Sequence, residues 1–137
     1  MNHGPESLWD AIERIRNHDP RFRPEAYGFV MMALGFAVEA LPVERREDPD
    51  RRHLTGAELL DAIVAIARRE FGAMAPTVFQ EWGLRSGGDV GDLVFQLVET
   101  GQLKARPEDR REDFLSGVPL MRRLAEGHDL RVPDAPR

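Results

Sequence analysis

The segment EAYGFVMMALGFAVEALP is apolar on nearly every side of any helix that it forms, and it constrains the fold more than any other part of the chain. Proline suits the first helical position and stops a helix later on, so Pro24 and Pro42 predict a helix over 24–41. A helix without a polar face is either buried in a bundle or spans a membrane. The length is near the lower limit for spanning, and Glu25 and Glu39 lie inside it. We therefore expect a buried central helix and no membrane association.

Three further helix starts share one pattern, a hydroxyl residue followed three positions later by an acid. In such a capping box the hydroxyl accepts from the third backbone N–H, and the acid reaches back to the cap. Apolar residues at helical spacing follow each start. The starts are Ser7-Leu8-Trp9-Asp10, Thr55-Gly56-Ala57-Glu58 and Ser86-Gly87-Gly88-Asp89. They predict helices over 7–17, 55–71 and 86–100, with a shorter one over 76–82 and one or two helical turns within 118–126.

The 137 residues suit one domain. We expect a mainly α fold: a single compact helical domain of five to six helices over 1–126, with a flexible tail over 127–137. The charged segment 43–53 is typical of an exposed loop. The order of the last helices is similar to a winged helix, which would place a short β-hairpin, the wing, within 102–117.

Charge and composition exclude several classes of function. The net charge is −5 and both signs are mixed, which argues against broad binding to nucleic acid. There is no cysteine, so thiolate catalysis, disulfides and cysteine-based metal sites are excluded. The first residues lack a basic stretch leading into an apolar one, so no secretory signal is visible and a cytoplasmic location is expected.

The stretch SGGDVGD at 86–92 has three interpretations: a phosphate loop, a metal loop or a helix start. A phosphate loop normally carries a lysine, but no basic residue follows before Lys104, and Asp89 and Asp92 would repel the anion. Two carboxylates are too few for calcium, and the four histidines show no ligand spacing. The stretch therefore predicts a helix start, with no metal and no cofactor.

The polar positions of the helix that follows are acidic or neutral: Asp89, Asp92, Gln96 and Glu99. Such a face, which we call the acidic face, suits a basic partner, and we expect a protein. No nucleophile and base stand together, so we expect a non-catalytic interaction or adapter module rather than an enzyme. If acid–base chemistry were present, the candidate pairs would be His53 with Glu58, or Asp89 with Asp92.

The alternative is a nucleic-acid-associated regulator that contacts phosphates through the wing. Arg106, Arg110 and Arg111 would make those contacts. The recognition helix of a DNA reader normally presents Arg, Lys, Asn or Gln to the bases, and the acidic face does not. Nucleic acid is therefore the less favoured partner. The sequence leaves the oligomeric state open.

Four runs resemble a family of short bacterial conserved hypothetical proteins: DPRFRPEAYGFVMMAL, LTGAELLDAI, FGAMAPTVFQEWGLRS and VGDLVFQLVETGQLKARPEDRREDF. The likeness covers residues 12–117. It implies one integral domain that includes the charged loop, and it carries no catalytic residue over. It also implies that the stretch from Glu108 to Phe114 docks on the body through Phe114, with Arg111 pairing a carboxylate.

Overall fold

The α-helices pack around two of their number that have 16 residues each. The computed structural model describes residues 6–106, 109–115 and 117–126, and this part of the chain contains no β-strand. In chain order the α-helices are α1 (Leu8–His18), α2 (Pro24–Glu39), α3 (Val43–Arg46), α4 (Gly56–Phe71), α5 (Ala75–Trp82), α6 (Gly87–Glu99) and α7 (Leu120–Ala125). The 3-10 turns are Gly72–Met74 and Arg111–Phe114. The mainly α single domain is confirmed.

The predicted caps set the starts of three helices, α1, α4 and α6. Thr55 and Ser86 complete reciprocal capping boxes with Glu58 and Asp89. In α1 the structure shows only half of the box, a bond of 3.1 Å from the Asp10 N–H to Ser7 Oγ. Each of these hydroxyls satisfies an N–H that has no partner within the helix, which is why the sequence located these helix starts within one residue.

The prediction of a buried central helix is right for the first half of α2 and wrong for the second. Tyr27, Phe29 and Val30 are buried in the core, whereas Met32 and Phe36 are 41% and 51% exposed. The physical reason is length. α2 has 16 residues and α5 only 8, so at 1.5 Å per residue the shorter helix cannot cover α2 from end to end. None of the described helices is long and apolar enough to cross a membrane.

The turn between α5 and α6 is held against the chain that precedes α2. Gly83 has a φ of +90°, and a Cβ at this position would collide with the carbonyl oxygen of Arg21. The Arg23 N–H donates to the Trp82 carbonyl at 3.1 Å, close by. Glycine is thus required here by both the left-handed backbone and the close approach.

The charged segment 43–53 is not wholly a loop, because α3 lies within it. The Arg45 guanidinium makes two bonds of 2.7 Å to the Glu58 carboxylate and one of 3.2 Å to the His53 carbonyl. These bonds tie the segment to the start of α4. This contact was not predicted, because a stretch of mixed charges is typical of solvated loops.

The wing is not observed as a hairpin. The described part of 102–117 runs without helix to Arg110 and then forms the 3-10 turn Arg111–Phe114. The tail predicted over 127–137 lies outside the described residues.

Candidate functional site

Phe114 fills a space beside Gly56, Gly87 and Gly91, which we call the glycine seat. Two of these glycines, Gly87 and Gly91, belong to the stretch SGGDVGD. The Phe114 side chain is 4% exposed and packs between the starts of α4 and α6. A Cβ at Gly91 would lie 2.9 Å from the Phe114 ring, and one at Gly56 would lie 3.0 Å from it. A Cβ at Gly87 would collide with the Phe114 carbonyl oxygen. The glycines of the helix start leave room for a side chain, and the expected docking through Phe114 is confirmed.

Ion pairs neutralise the first half of the acidic face. Arg21 bonds to Asp89 at 2.6 Å and to Asp92 at 3.0 Å, and Arg111 bonds to Asp92 at 2.6 Å. Partial burial alone would raise the pKa of the Asp92 carboxyl, but the hydrogen bonds from Arg111 and Arg21 outweigh it and lower the pKa. Asp92 therefore stays ionised and links two distant parts of the chain.

Gln96 is also engaged within the protein. It accepts a hydrogen bond of 2.5 Å from the Tyr27 hydroxyl and donates one of 3.2 Å to Asp19. Burial, followed by the nearby Asp19 charge, raises the pKa of Tyr27 to about 12, so the hydroxyl remains a donor. Asp92, Gln96 and Glu99 do share one open groove between α1 and α6. Of the acidic face, only the exposed Glu99 has no hydrogen bond or ion pair within the described part of the chain.

The three arginines predicted for the wing have different surroundings. Arg106 is half-buried, and its backbone N–H donates to Asp109 at 2.7 Å. Arg111 is bound to Asp92, as expected from the resemblance. Arg110 is exposed, and it lines the rim of a cleft that the sequence did not predict.

This cleft encloses about 400 Å³ between α2, α4, α6 and the stretches 103–105 and 109–114. Its interior is mostly aliphatic, and the side chains come from four parts of the chain. They include Leu34, Val38, Leu59, Val94, Val98 and Leu103. No single run of sequence carries this site, because no helix contributes more than three residues to it. The one sequence signal was the apolar second half of α2, which has more apolar residues than the core uses.

The rim of the cleft carries most of its polar groups. His53 Nε2 lies 3.0 Å from Asp109 Oδ2, and Asp113 Oδ2 accepts from the backbone N–H of Arg110 at 3.1 Å. Three cations complete the rim: Arg52, Lys104 and Arg110. All three are exposed, and their side chains have no hydrogen bond or ion pair with any other described residue.

The suggested pairing of His53 with Glu58 is not observed. Glu58 is bonded to Arg45, and these bonds, helped by the Thr55 N–H, lower its pKa to about 2. His53 pairs with Asp109 instead, an arrangement that orients an imidazole. The hydroxyl at the cleft belongs to Thr55, whose Oγ1 accepts the Glu58 N–H at 3.0 Å as part of the helix cap. The His53 imidazole and the Thr55 hydroxyl are therefore each bonded to another residue of the protein.

Asp89 and Asp92, the other suggested pair, are both bonded to arginine, and Asp92 also lines the open groove between α1 and α6. Nowhere in residues 6–106, 109–115 and 117–126 do three or more His, Asp or Glu side chains gather in a way that suits a metal ion. Comparison with protein-family models, with curated proteins and with solved structures finds no match to this chain. The geometry of the cleft is therefore the basis for any assignment of function.

Proposed function

We propose that this protein is a non-catalytic helical binding module whose recognition site is the apolar cleft. One observation carries the proposal: a concave, mostly aliphatic surface of about 400 Å³ lies open beside the core. Small-molecule sites in proteins enclose roughly 300–1,000 Å³, are mostly apolar and carry a few polar groups that orient the ligand. The cleft has the size, the apolar interior and the polar rim of such a site.

Filling the cleft tests this proposal. Val98 lines it, and we expect Val98→Phe to occupy part of the volume and to weaken the binding of a neutral apolar dye such as Nile red by at least about tenfold. The matched control is Val118→Phe, because Val118 is 46% exposed and outside the cleft. The measurement is a fluorescence titration, with circular dichroism to confirm that both variants fold. Equal dye binding by the two variants, or none by the wild type, would contradict the proposal.

Recognition of a basic protein by the acidic face stays a prediction. Substitution of Asp92 would also break the ion pairs with Arg21 and Arg111, so loss of a partner would not be specific to the face. Glu99 is the cleaner probe, since it is exposed and makes no bond that the structure records. A partner captured from lysate by the wild type but not by Glu99→Lys would support this second surface.

The nucleic-acid alternative, with its likeness to a winged helix, also stays a prediction. In its favour, Lys104 and Arg110 are exposed and form no ion pair with another described residue. Against it, Arg111 is committed to Asp92, and the acidic face would lie towards the phosphates. A band shift at low salt that disappears as salt is raised would support it.

A further inference from the structure

The rim of the cleft carries three cations that could contact a charged group of a ligand. Arg52, Lys104 and Arg110 come from two separate parts of the chain and meet around one opening. In the rest of the described chain several arginines are paired with carboxylates, as Arg45 is with Glu58 and Arg123 is with Asp61. The three rim cations have no such partner among the described residues, so we take their charge to be available to a ligand.

The rim also contains carboxylates, and they limit the charge of that ligand. Asp109 is bonded to His53 and to the Arg106 N–H, and Asp113 is bonded to the Arg110 N–H. Three cations and two carboxylates leave one net positive charge when His53 is neutral. A single negative charge would balance it, whereas a dianion would meet stronger repulsion from the two aspartates.

We propose that the cleft binds a small monoanionic ligand, a carboxylic acid with an aliphatic body, whose carboxylate is held at the rim by Arg52, Lys104 and Arg110. The aliphatic body would lie against Leu34, Val94 and Val98, which line the interior. Guanidinium and ammonium groups form charge-assisted hydrogen bonds with carboxylates, and these are stronger beside an apolar surface than in open water. This inference rests on the proposed function and names its ligand class.

The experiment compares octanoate with three probes of the same chain length: 1-octanol, octylammonium and octyl phosphate. Binding to the full chain is measured by calorimetry and by the methyl NMR shifts of Leu34, Val94 and Val98. We expect octanoate to bind at least about tenfold more tightly than each of the other probes, with shifts at all three residues. Tighter binding of octylammonium or octyl phosphate would overturn the assignment of a monoanion.

A charge-removal variant isolates the role of the rim. In the triple variant Arg52→Gln, Lys104→Gln, Arg110→Gln, octanoate should lose about tenfold or more in affinity while octanol binding is unchanged. The control is Arg122→Gln, an exposed position on α7 outside the cleft, which should leave both affinities unchanged. Retained octanol binding also shows that the triple variant is folded.

The outcomes separate the two proposals. If octanol and octanoate bind equally and the triple variant changes neither, the inference about the head group is wrong and the binding module stands. If no probe binds, both proposals fail. If a short peptide ending in leucine binds more tightly than octanoate, the occupant is a protein C-terminus and the assignment of a free acid is overturned.

Discussion

At the scale of single residues, the position of Phe114 is fixed by three glycines, whose lack of a side chain leaves the space that Phe114 fills. Gly56, Gly87 and Gly91 bring the surfaces of α4 and α6 close enough to contact the aromatic ring and its backbone. Gly91 lies inside α6, where glycine costs stability relative to alanine, and the packing of Phe114 is the compensating contact. Gly56 and Gly87 are the first residues of their helices, and there the close approach of Asp113 and Phe114 leaves no room for a larger side chain.

Gly87→Ala should therefore destabilise the protein. The new Cβ would collide with the Phe114 carbonyl oxygen, which is backbone and cannot rotate away, and we expect a loss of about 2–3 kcal/mol. The control is Gly35→Ala in α2, where a Cβ meets nothing within 4 Å and the variant should gain about 0.5–1 kcal/mol. Urea unfolding measures both. Equal stabilities for the two variants would mean that the Phe114 carbonyl oxygen does not approach Gly87 closely enough to exclude a Cβ.

At the scale of elements, the helices could be predicted and the cleft could not. Thr55 and Ser86 fix helix starts through hydrogen bonds to residues three positions later, so a helix start can be predicted from four consecutive residues. The pairing of Asp92 with Arg21 joins residues 71 positions apart, and nothing local to either indicates it. The exposed second half of α2 escaped prediction for a related reason: an apolar helix shows how much it can bury, but not which end its neighbours cover.

The contact between α3 and α4 should make stability depend on pH. The pKa of Glu58 is lowered from 4.5 to about 2 by its bonds to Arg45 and the helix cap. A lowered folded pKa means that the contribution is fully present above about pH 4.5 and is lost as the pH falls towards 2. Since the pair is partly solvated, we expect Glu58→Gln to lower the melting temperature by only about 3 °C at pH 7.

The difference between wild type and Glu58→Gln should be the same in melts at pH 7 and pH 5, smaller at pH 4 and smaller again at pH 3. Gln still fits a capping box, so the variant removes the charge without removing the cap. Glu99→Gln is the control, because Glu99 is exposed and has no recorded partner, and its effect should stay small at every pH. A difference for Glu58→Gln that is constant with pH would show that the charge contributes nothing.

At the scale of the whole molecule, burial is uneven along α2, and local stability should follow it. The first half packs on α4 and α5, while the second half and α3 expose Phe36 and Val43. Segments with few buried contacts open more often than the core. We expect the amides of Val64 and Leu93 to exchange with deuterium most slowly and those of 36–46 to exchange much faster. Uniform protection along α2 would contradict this distribution.

The glycine seat of Phe114 also decides how stiff the cleft is. Phe114 and Asp113 belong to the wall of the cleft, and the same ring is clamped between α4 and α6. A ligand could move this wall only by lifting the ring from between the two helices or by separating them. This side of the cleft is therefore preorganised, whereas the opposite side, which includes Leu34 and Val38 in the second half of α2, has the freedom to adjust to a ligand.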